Sequence, residues 1–293
     1  MAHESKSPDF HRDSGSLRAS NGMKQHRFKA NGLLLNCVDY GGAGKPALLF
    51  VHGGSAHAHW WDFVAPAFID DFHALAIDQR GHGESEWPAD WAYGSRHYVA
   101  DLDQVIDQWN FGPPILVGHS MGAHNVLVYA AAHADKLRGL VAIDSPPDYS
   151  EASVQFLRKY AERPGRRFDS LDEAVSNFKV LPRETLASKE ILEHVARKTY
   201  RQVDDGKWIH KIDRRTMIRE PLTMWESLHR VTCPALLIKI KKSPLLAIDQ
   251  ARKMVEAMPK GELAEIDDSY HHAMLDNPRG LIAAMKKFLD KLK

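Results

Sequence analysis

Pro114-Ile115-Leu116-Val117-Gly118-His119-Ser120-Met121-Gly122 is the stretch that decides how this chain folds. Its first four residues read as a short buried strand, and Met121 to Ala132, rich in alanine, reads as a helix. A strand that passes into a helix within so few residues must turn sharply. The corner residue, Ser120, then takes a strained backbone conformation, and the flanking glycines avoid the collisions that side chains would cause. Such a turn lifts the serine oxygen clear of the sheet. The first helical turn meanwhile presents its N–H groups and the positive end of its dipole. Ser120 is therefore the candidate nucleophile. A Gly-x-Ser-x-Gly spacing alone arises often by chance; its position between a strand and a helix gives it weight.

A serine that attacks an acyl group needs fixed donors where negative charge develops, and backbone N–H groups serve because they cannot swing away. One is expected from Met121, directly after the serine. The other is expected from the loop after an earlier strand, where His52-Gly53-Gly54-Ser55 stands. Gly54 is the first choice there and Ser55 the reserve; taken alone, the same glycines also suit a plain strand-to-helix turn.

Outward from the elbow, short apolar runs alternate with amphipathic stretches. Phe28 to Tyr40 suggests two strands joined at Asn31-Gly32, followed by strands at Ala47–Val51 and Ala74–Ile77 with a helical stretch, Trp60 to Phe68, between them. Tyr98 to Trp109 has helical spacing. Past the elbow come Leu140–Ile143, Ala235–Ile240 and Leu263–Ile266 as strands, with helices at Ile248–Met258 and Leu281–Leu292. Continuous apolar strands alternating with helices indicate an α/β architecture, a mostly parallel sheet covered on both faces. Between about Pro146 and Arg230 the strand signal disappears. Three amphipathic helices are expected there, around Val154-Leu157-Tyr160, after Ser170 with Glu173 in capping-box spacing, and around Ile191-Leu192-Val195. The organisation is thus a core of residues 26–145 and 231–293 with a helical lid, 146–230, inserted into it.

Composition narrows the class. The chain of 293 residues carries 39 lysines and arginines against 38 aspartates and glutamates, a net charge of +1, which favours neither nucleic acid nor an anionic membrane as partner. No apolar run is long enough to span a bilayer. Met1 to Gln25 is polar, lacks a signal peptide's apolar core, and is expected to be a disordered extension, residues 1–25. The two cysteines, Cys37 and Cys233, sit in apolar stretches and read as small buried residues. Their scarcity fits a reducing compartment, so the cytoplasm is the default location.

Three segments in order carry a resemblance: Val51-His52-Gly53-Gly54, Asp78-Gln79-Arg80-Gly81-His82-Gly83-Glu84-Ser85, and Gly118-His119-Ser120-Met121-Gly122. Over nearly the whole chain from about residue 27, it resembles the α/β-hydrolase superfamily in its serine-esterase form with a helical lid. The resemblance implies that Asp78 to Ser85 is a structural loop near the active site, shaped by Asp78, Arg80 and His82. It also implies that the general base lies on the loop after the last strand. There the chain reads Tyr270-His271-His272-Ala273, making His271 the base and His272 its neighbour; Tyr270 stands where the family usually has a small residue.

The third catalytic group is the departure. Most members place a carboxylate just after the strand matching Ala235–Ile240, but this chain reads Lys241-Lys242-Ser243-Pro244. Some relatives use the end of the preceding strand, and Asp144 stands there. Asp144 is taken as the acid, against a purely structural role at the entrance to the insertion; Asp249 and Asp268 are outsiders. His57 and His59 have His-x-His spacing, yet no further ligand follows and Trp60-Trp61 crowds them. They read as pocket lining or helix-start packing, not as a metal pair.

The reading is a serine hydrolase of a carboxylic ester or related small acyl substrate, needing no cofactor and no metal. Serine at the elbow argues against epoxide hydrolases and haloalkane dehalogenases, which use aspartate there. Two alternatives stay open: a carbon–carbon bond hydrolase of a diketone-type substrate, and a ligand-binding member that turns over slowly. A diketone set against an aryl ester separates the first. Stoichiometric phosphonate labelling without turnover marks the second.

Overall fold

A computed structural model describes residues 23–109, 112–218 and 222–293. The N-terminal extension expected over residues 1–25 therefore lies almost wholly outside the described residues, and Lys24 already begins the first strand.

The first half of the core runs β1 (Lys24–Ala30), β2 (Leu33–Gly41), β3 (Ala47–Val51), β4 (His73–Ile77), α1 (Ser95–Trp109), β5 (Ile115–His119), α2 (Met121–His133) and β6 (Gly139–Ile143). The insertion carries α3 (Glu151–Glu162), β7 (Arg167–Phe168), α4 (Leu171–Ser176), α5 (Lys189–Thr199), β8 (Tyr200–Gln202) and β9 (Trp208–His210). The core then resumes with β10 (Ala235–Ile240), α6 (Ile248–Ala257), β11 (Gly261–Ile266), α7 (Ala273–Asp276) and α8 (Pro278–Leu289).

Eight strands form one sheet in the order β1-β2-β4-β3-β5-β6-β10-β11. β1 and β2 pair antiparallel, as do β2 and β4; every other pairing is parallel. The central strands are buried at every position, which favours apolar side chains on both faces, with His73, His119 and Lys239 as the polar exceptions. Successive residues then point to opposite faces. Leu48, Phe50, Ile115, Val117, Val141 and Ile143 join one apolar cluster, sealed by Leu281, Met285 and Phe288 of α8. Their neighbours Leu49, Val51, Leu116, Leu140 and Ala142 join the other, sealed by α1, α2 and α6. Each large apolar side chain removed from water this way contributes roughly 1.5–3 kcal/mol before entropy is charged against it.

Two local expectations are corrected. Trp60 to Phe68 is not one helix but two short 3-10 turns, Ala58–Trp61 and Ala65–Phe68. Trp61, Val64 and Phe68 pack on the sheet without a regular helical face. The insertion is not strand-free either. β7, β9 and β8 form a three-stranded antiparallel sheet, and Phe168, Ala174 and Tyr200 make a small apolar cluster beside it. All three helices expected in the insertion are present. At α4, Ser170 Oγ accepts from the Glu173 N–H at 3.1 Å, while the Glu173 carboxylate reaches back to the Asp169 N–H at 2.8 Å, one residue earlier than a standard box.

Candidate active site

The site sits at the C-terminal ends of β5, β6 and β11, where parallel strands leave a crevice for chemistry. Ser120 follows β5 directly and has φ 52° and ψ −117°, a region that side chains rarely occupy. Two glycines allow it. A Cβ on Gly118 would stand 2.4 Å from the Gly122 carbonyl oxygen, and one on Gly122 would stand 2.2 Å from the Val51 carbonyl oxygen. The elbow is therefore packed backbone on backbone against β3. The Ser120 N–H donates to the Ile143 carbonyl at 2.9 Å, tying the elbow to the last residue of β6.

Asp144, the next residue on that chain, also has a positive φ, 48°, and is fully buried. Its N–H donates to Ile238 of β10 at 2.9 Å. Strands β5 and β6 thus end in parallel, each with a strained residue turned out of the sheet. His271, between β11 and α7, brings Nδ1 to 2.8 Å from Asp144 Oδ2. An ionised carboxylate only accepts, so Nδ1 carries the hydrogen and Nε2 keeps its lone pair, as a base requires. Ser120 Oγ makes no hydrogen bond among the described residues. The serine and the histidine are brought to the same end of the sheet without being joined, a looseness common where no substrate is bound.

Gly53 lies flat on the elbow: a Cβ there would meet His119 Nδ1 at 2.9 Å and Ser120 Cβ at 3.2 Å. Gly54 follows, and its N–H makes no hydrogen bond among the described residues. Met121 opens α2, whose first N–H groups point out of the helix end. The loop bearing Gly53 and Gly54 is held by His52. The Gln79 N–H donates to His52 Nε2 at 3.0 Å, so Nδ1 holds the hydrogen and donates to the Gly53 carbonyl at 2.7 Å. Gln79 in turn binds Asn125 of α2 at 2.7 Å. Burial holds the His52 imidazole below its ordinary range, which keeps it neutral in that role.

Asp78, Arg80 and His82 occupy the loop after β4. Asp78 accepts from the backbone of Ala58 at 2.7 Å and Glu84 at 3.0 Å, and from Asn36 at 2.8 Å. Arg80 grips Asp101 of α1 through two bonds of 2.6 Å. His82 Nδ1 binds the Arg80 carbonyl at 3.0 Å. All three build the loop. Of the two outsiders among the acids, Asp268 is exposed and pairs with Lys242 at 3.2 Å, and Asp249 pairs weakly with Arg252 at 3.8 Å. Lys239 turns inward, and its ammonium binds the carbonyls of Ile240 and of Ser243, the latter at 2.9 Å.

His57 and His59 do not converge on a common point. His57 Nε2 binds Thr199 of α5 at 2.9 Å, and His59 Nδ1 lies 3.2 Å from Asp62. Asp62 also accepts from Tyr40 at 2.7 Å and from His194 of α5 at 2.7 Å, so these histidines fasten the insertion to the core.

Two functional neighbours escaped the sequence reading. His119, the variable residue of the elbow motif, binds the His271 carbonyl through Nε2 at 2.9 Å, with ring centroids 4.5 Å apart. Burial, then the neighbouring His271 and His272, push it well below the usual histidine range; burial and His271 do the same to His272. His119, His271 and His272 bring ring nitrogens within 4.8 Å of one another, the one cluster of three such side chains with metal-ligand spacing among the described residues. Asp276 is the second. Its carboxylate accepts from the Tyr270 N–H at 2.8 Å and from Leu186 and Ala187 of the insertion at 3.0 and 3.1 Å. The only signal for His119 was its place before Ser120; Asp276 gave none.

Comparison with known proteins covers most of the chain. The model described as the alpha/beta hydrolase family matches residues 48–284. An esterase of Mycobacterium tuberculosis is 25% identical over 261 residues, covering 87% of this chain and 86% of that protein. The 2-(acetamidomethylene)succinate hydrolase of Mesorhizobium japonicum is 25% identical over 277 residues, 93% and 97% of the two chains. The N-formylmaleamate deformylase of Pseudomonas putida is 27% identical over 266 residues, 89% and 94%. In three dimensions the chain is similar to the crystal structure of an E-2-(acetamidomethylene)succinate hydrolase, with a TM-score of 0.82 at 24% identity, covering 92% of this chain and 99% of that one.

Proposed function

Because the chain belongs to the alpha/beta hydrolase family, we propose that this hydrolase is a serine enzyme that cleaves a carboxylic ester or related acyl substrate through an acyl-serine intermediate. One observation carries the reading: the 2.8 Å contact of His271 Nδ1 with buried Asp144, beside a serine held at φ 52°. Ser120 Oγ attacks the acyl carbon as its proton passes to His271 Nε2. The oxyanion that forms takes the N–H groups of Gly54 and Met121. Collapse of the intermediate expels the alcohol or amine, which leaves with the proton from His271. Water then repeats the sequence on the acyl-serine, giving its proton to His271 and releasing the acid with Ser120 restored. Asp144 stays ionised and stabilises the imidazolium in each half.

The insertion, residues 146–230, acts in this reading as a lid that shapes the acyl pocket. A slow, receptor-like member gains little support from the lysines that stand where most members carry the acid, since Lys239 binds loop carbonyls and Lys241 and Lys242 pair with Asp267 and Asp268. Among the described residues no helix is long and apolar enough to cross a membrane. The free, buried thiols of Cys37 and Cys233 support a reducing, cytoplasmic setting. The test is Ser120→Ala with a serine-directed phosphonate. Turnover of an aryl ester should fall by several orders of magnitude and labelling should vanish, with the circular dichroism spectrum unchanged. Turnover within about tenfold of wild type in a clean preparation would remove the serine mechanism.

A further inference from the structure

A cavity of about 660 Å³ opens between the insertion and the sheet's C-terminal edge. Its inner wall is Gly54, Ser55 and Trp60, so it begins one residue beyond Gly53, which lies on the Ser120 side chain. Its outer wall comes from the insertion, and the charge there is one-sided. Arg163, Arg166, Lys179, Arg183 and Arg214 all line it, and among the described residues none of the five meets a carboxylate. Two further arginines are neutralised, Arg167 by Asp205 and Arg215 by Asp213, and among the described residues Asp213 is the only acid lining the cavity. This is not the tint of a basic protein, because the whole chain is balanced at 39 cations against 38 anions.

Arg214 is the most constrained of the five. Its guanidinium stacks on Tyr160 at 4.2 Å and one nitrogen donates to the Tyr160 carbonyl. Its Nε is buried and finds no partner among the described residues. A buried donor on a fixed cation is costly unless an acceptor arrives. Nearby His210 answers to the same field: burial, then Arg214 and Lys211, hold its imidazole down to about 4.

We propose that this cavity selects acyl substrates bearing a carboxylate, bound inside by Arg214 and drawn in by Arg163, Arg166, Lys179 and Arg183. The planar guanidinium fork matches a carboxylate in two parallel bonds, and the concave wall strengthens the attraction over that of a solvated face. The proposal rests on the hydrolase reading above and names its substrate class.

The experiment compares two esters of equal chain length, mono-4-nitrophenyl adipate and 4-nitrophenyl hexanoate, which differ by a terminal carboxylate in place of a methyl. Wild-type kcat/KM should favour the adipate by about tenfold or more at low salt, with the preference shrinking as salt screens the cavity. Arg214→Gln should cut that ratio by about tenfold, chiefly through KM, while Arg214→Lys keeps part of it. The ratio is internal, so partial loss of folded protein leaves it intact. Adipate should also bind the Ser120→Ala protein by calorimetry and fail to bind the Ser120→Ala/Arg214→Gln protein. That arm needs no turnover, so it separates failure of the serine mechanism from failure of the anion site. Equal kcat/KM for the two esters, or a ratio untouched by Arg214→Gln, overturns the proposal. Inorganic phosphate competing more strongly than adipate at equal ionic strength overturns the choice of carboxylate.

Discussion

His271 Nδ1 and Asp144 Oδ2 meet at 2.8 Å although 127 residues separate them in the chain. The Asp144 side chain is fully buried and its second oxygen, Oδ1, has no partner among the described residues, so the carboxylate's one side-chain contact is the histidine. A buried carboxylate facing a single imidazole nitrogen accepts its hydrogen and so sets that ring's tautomer and orientation.

Replacing that carboxylate by an amide keeps the shape and removes the charge. Asp144→Asn is expected to lower kcat by about two to four orders of magnitude with KM little changed, following the serine-protease precedent. Asp268→Asn, exposed on Lys242, is the control and should stay within about twofold in steady-state kinetics. A crippled Asp268→Asn beside a healthy Asp144→Asn would reverse the assignment.

The elbow's glycines answer to stability as well as to catalysis. A Cβ at Gly122 collides with the backbone of Val51 and His52, which cannot move without parting β3 from β5. Gly122→Ala should cost at least about 3 kcal/mol in urea unfolding, while Gly165→Ala, which meets only ordinary contact with Arg214, should cost less than about 0.5 kcal/mol.

Asp62 predicts the acid behaviour. Burial pushes its carboxyl up, yet hydrogen bonds from His194, His59 and Tyr40 outweigh burial and hold it below the ordinary aspartate range. A carboxyl depressed on folding contributes stability above its unfolded value, near 3.9, and loses it as pH falls through the lower folded value. Thermal melts of wild type should therefore drop as pH falls below about 4, and Asp62→Asn should begin lower at neutral pH and fall less steeply in that acid range. Parallel curves for the two proteins would refute the role given to Asp62.

Asp276 is expected to act on His271 through the loop, as a positioning residue. It holds the Tyr270 N–H on one oxygen and the insertion's Leu186 and Ala187 on the other. Asp276→Ala should lower kcat by about ten- to a hundredfold while the ester-independent phosphonate still labels Ser120, slowly. Unchanged kcat with a large loss of melting temperature would reduce it to a structural tie.

The sequence by itself determined what local order can encode. Burial on both faces writes β3 and β6 as unbroken apolar runs and leaves β5 and β10 apolar but for His119 and Lys239, and the elbow is complete within Gly118 to Gly122, so strand, turn and helix are legible from neighbouring residues. Asp144 was legible only as an acid ending a strand, and its choice leaned on the absence of one after β10. Tertiary structure decided the rest, because distant residues meet only when the sheet closes. It joined His271 to Asp144, set His119 beneath the His271 loop, and gathered cations from Arg163 to Arg214 around one cavity. It also made strands of two and three residues at β7, β8 and β9, too short to leave a period in the sequence and held by pairing with one another.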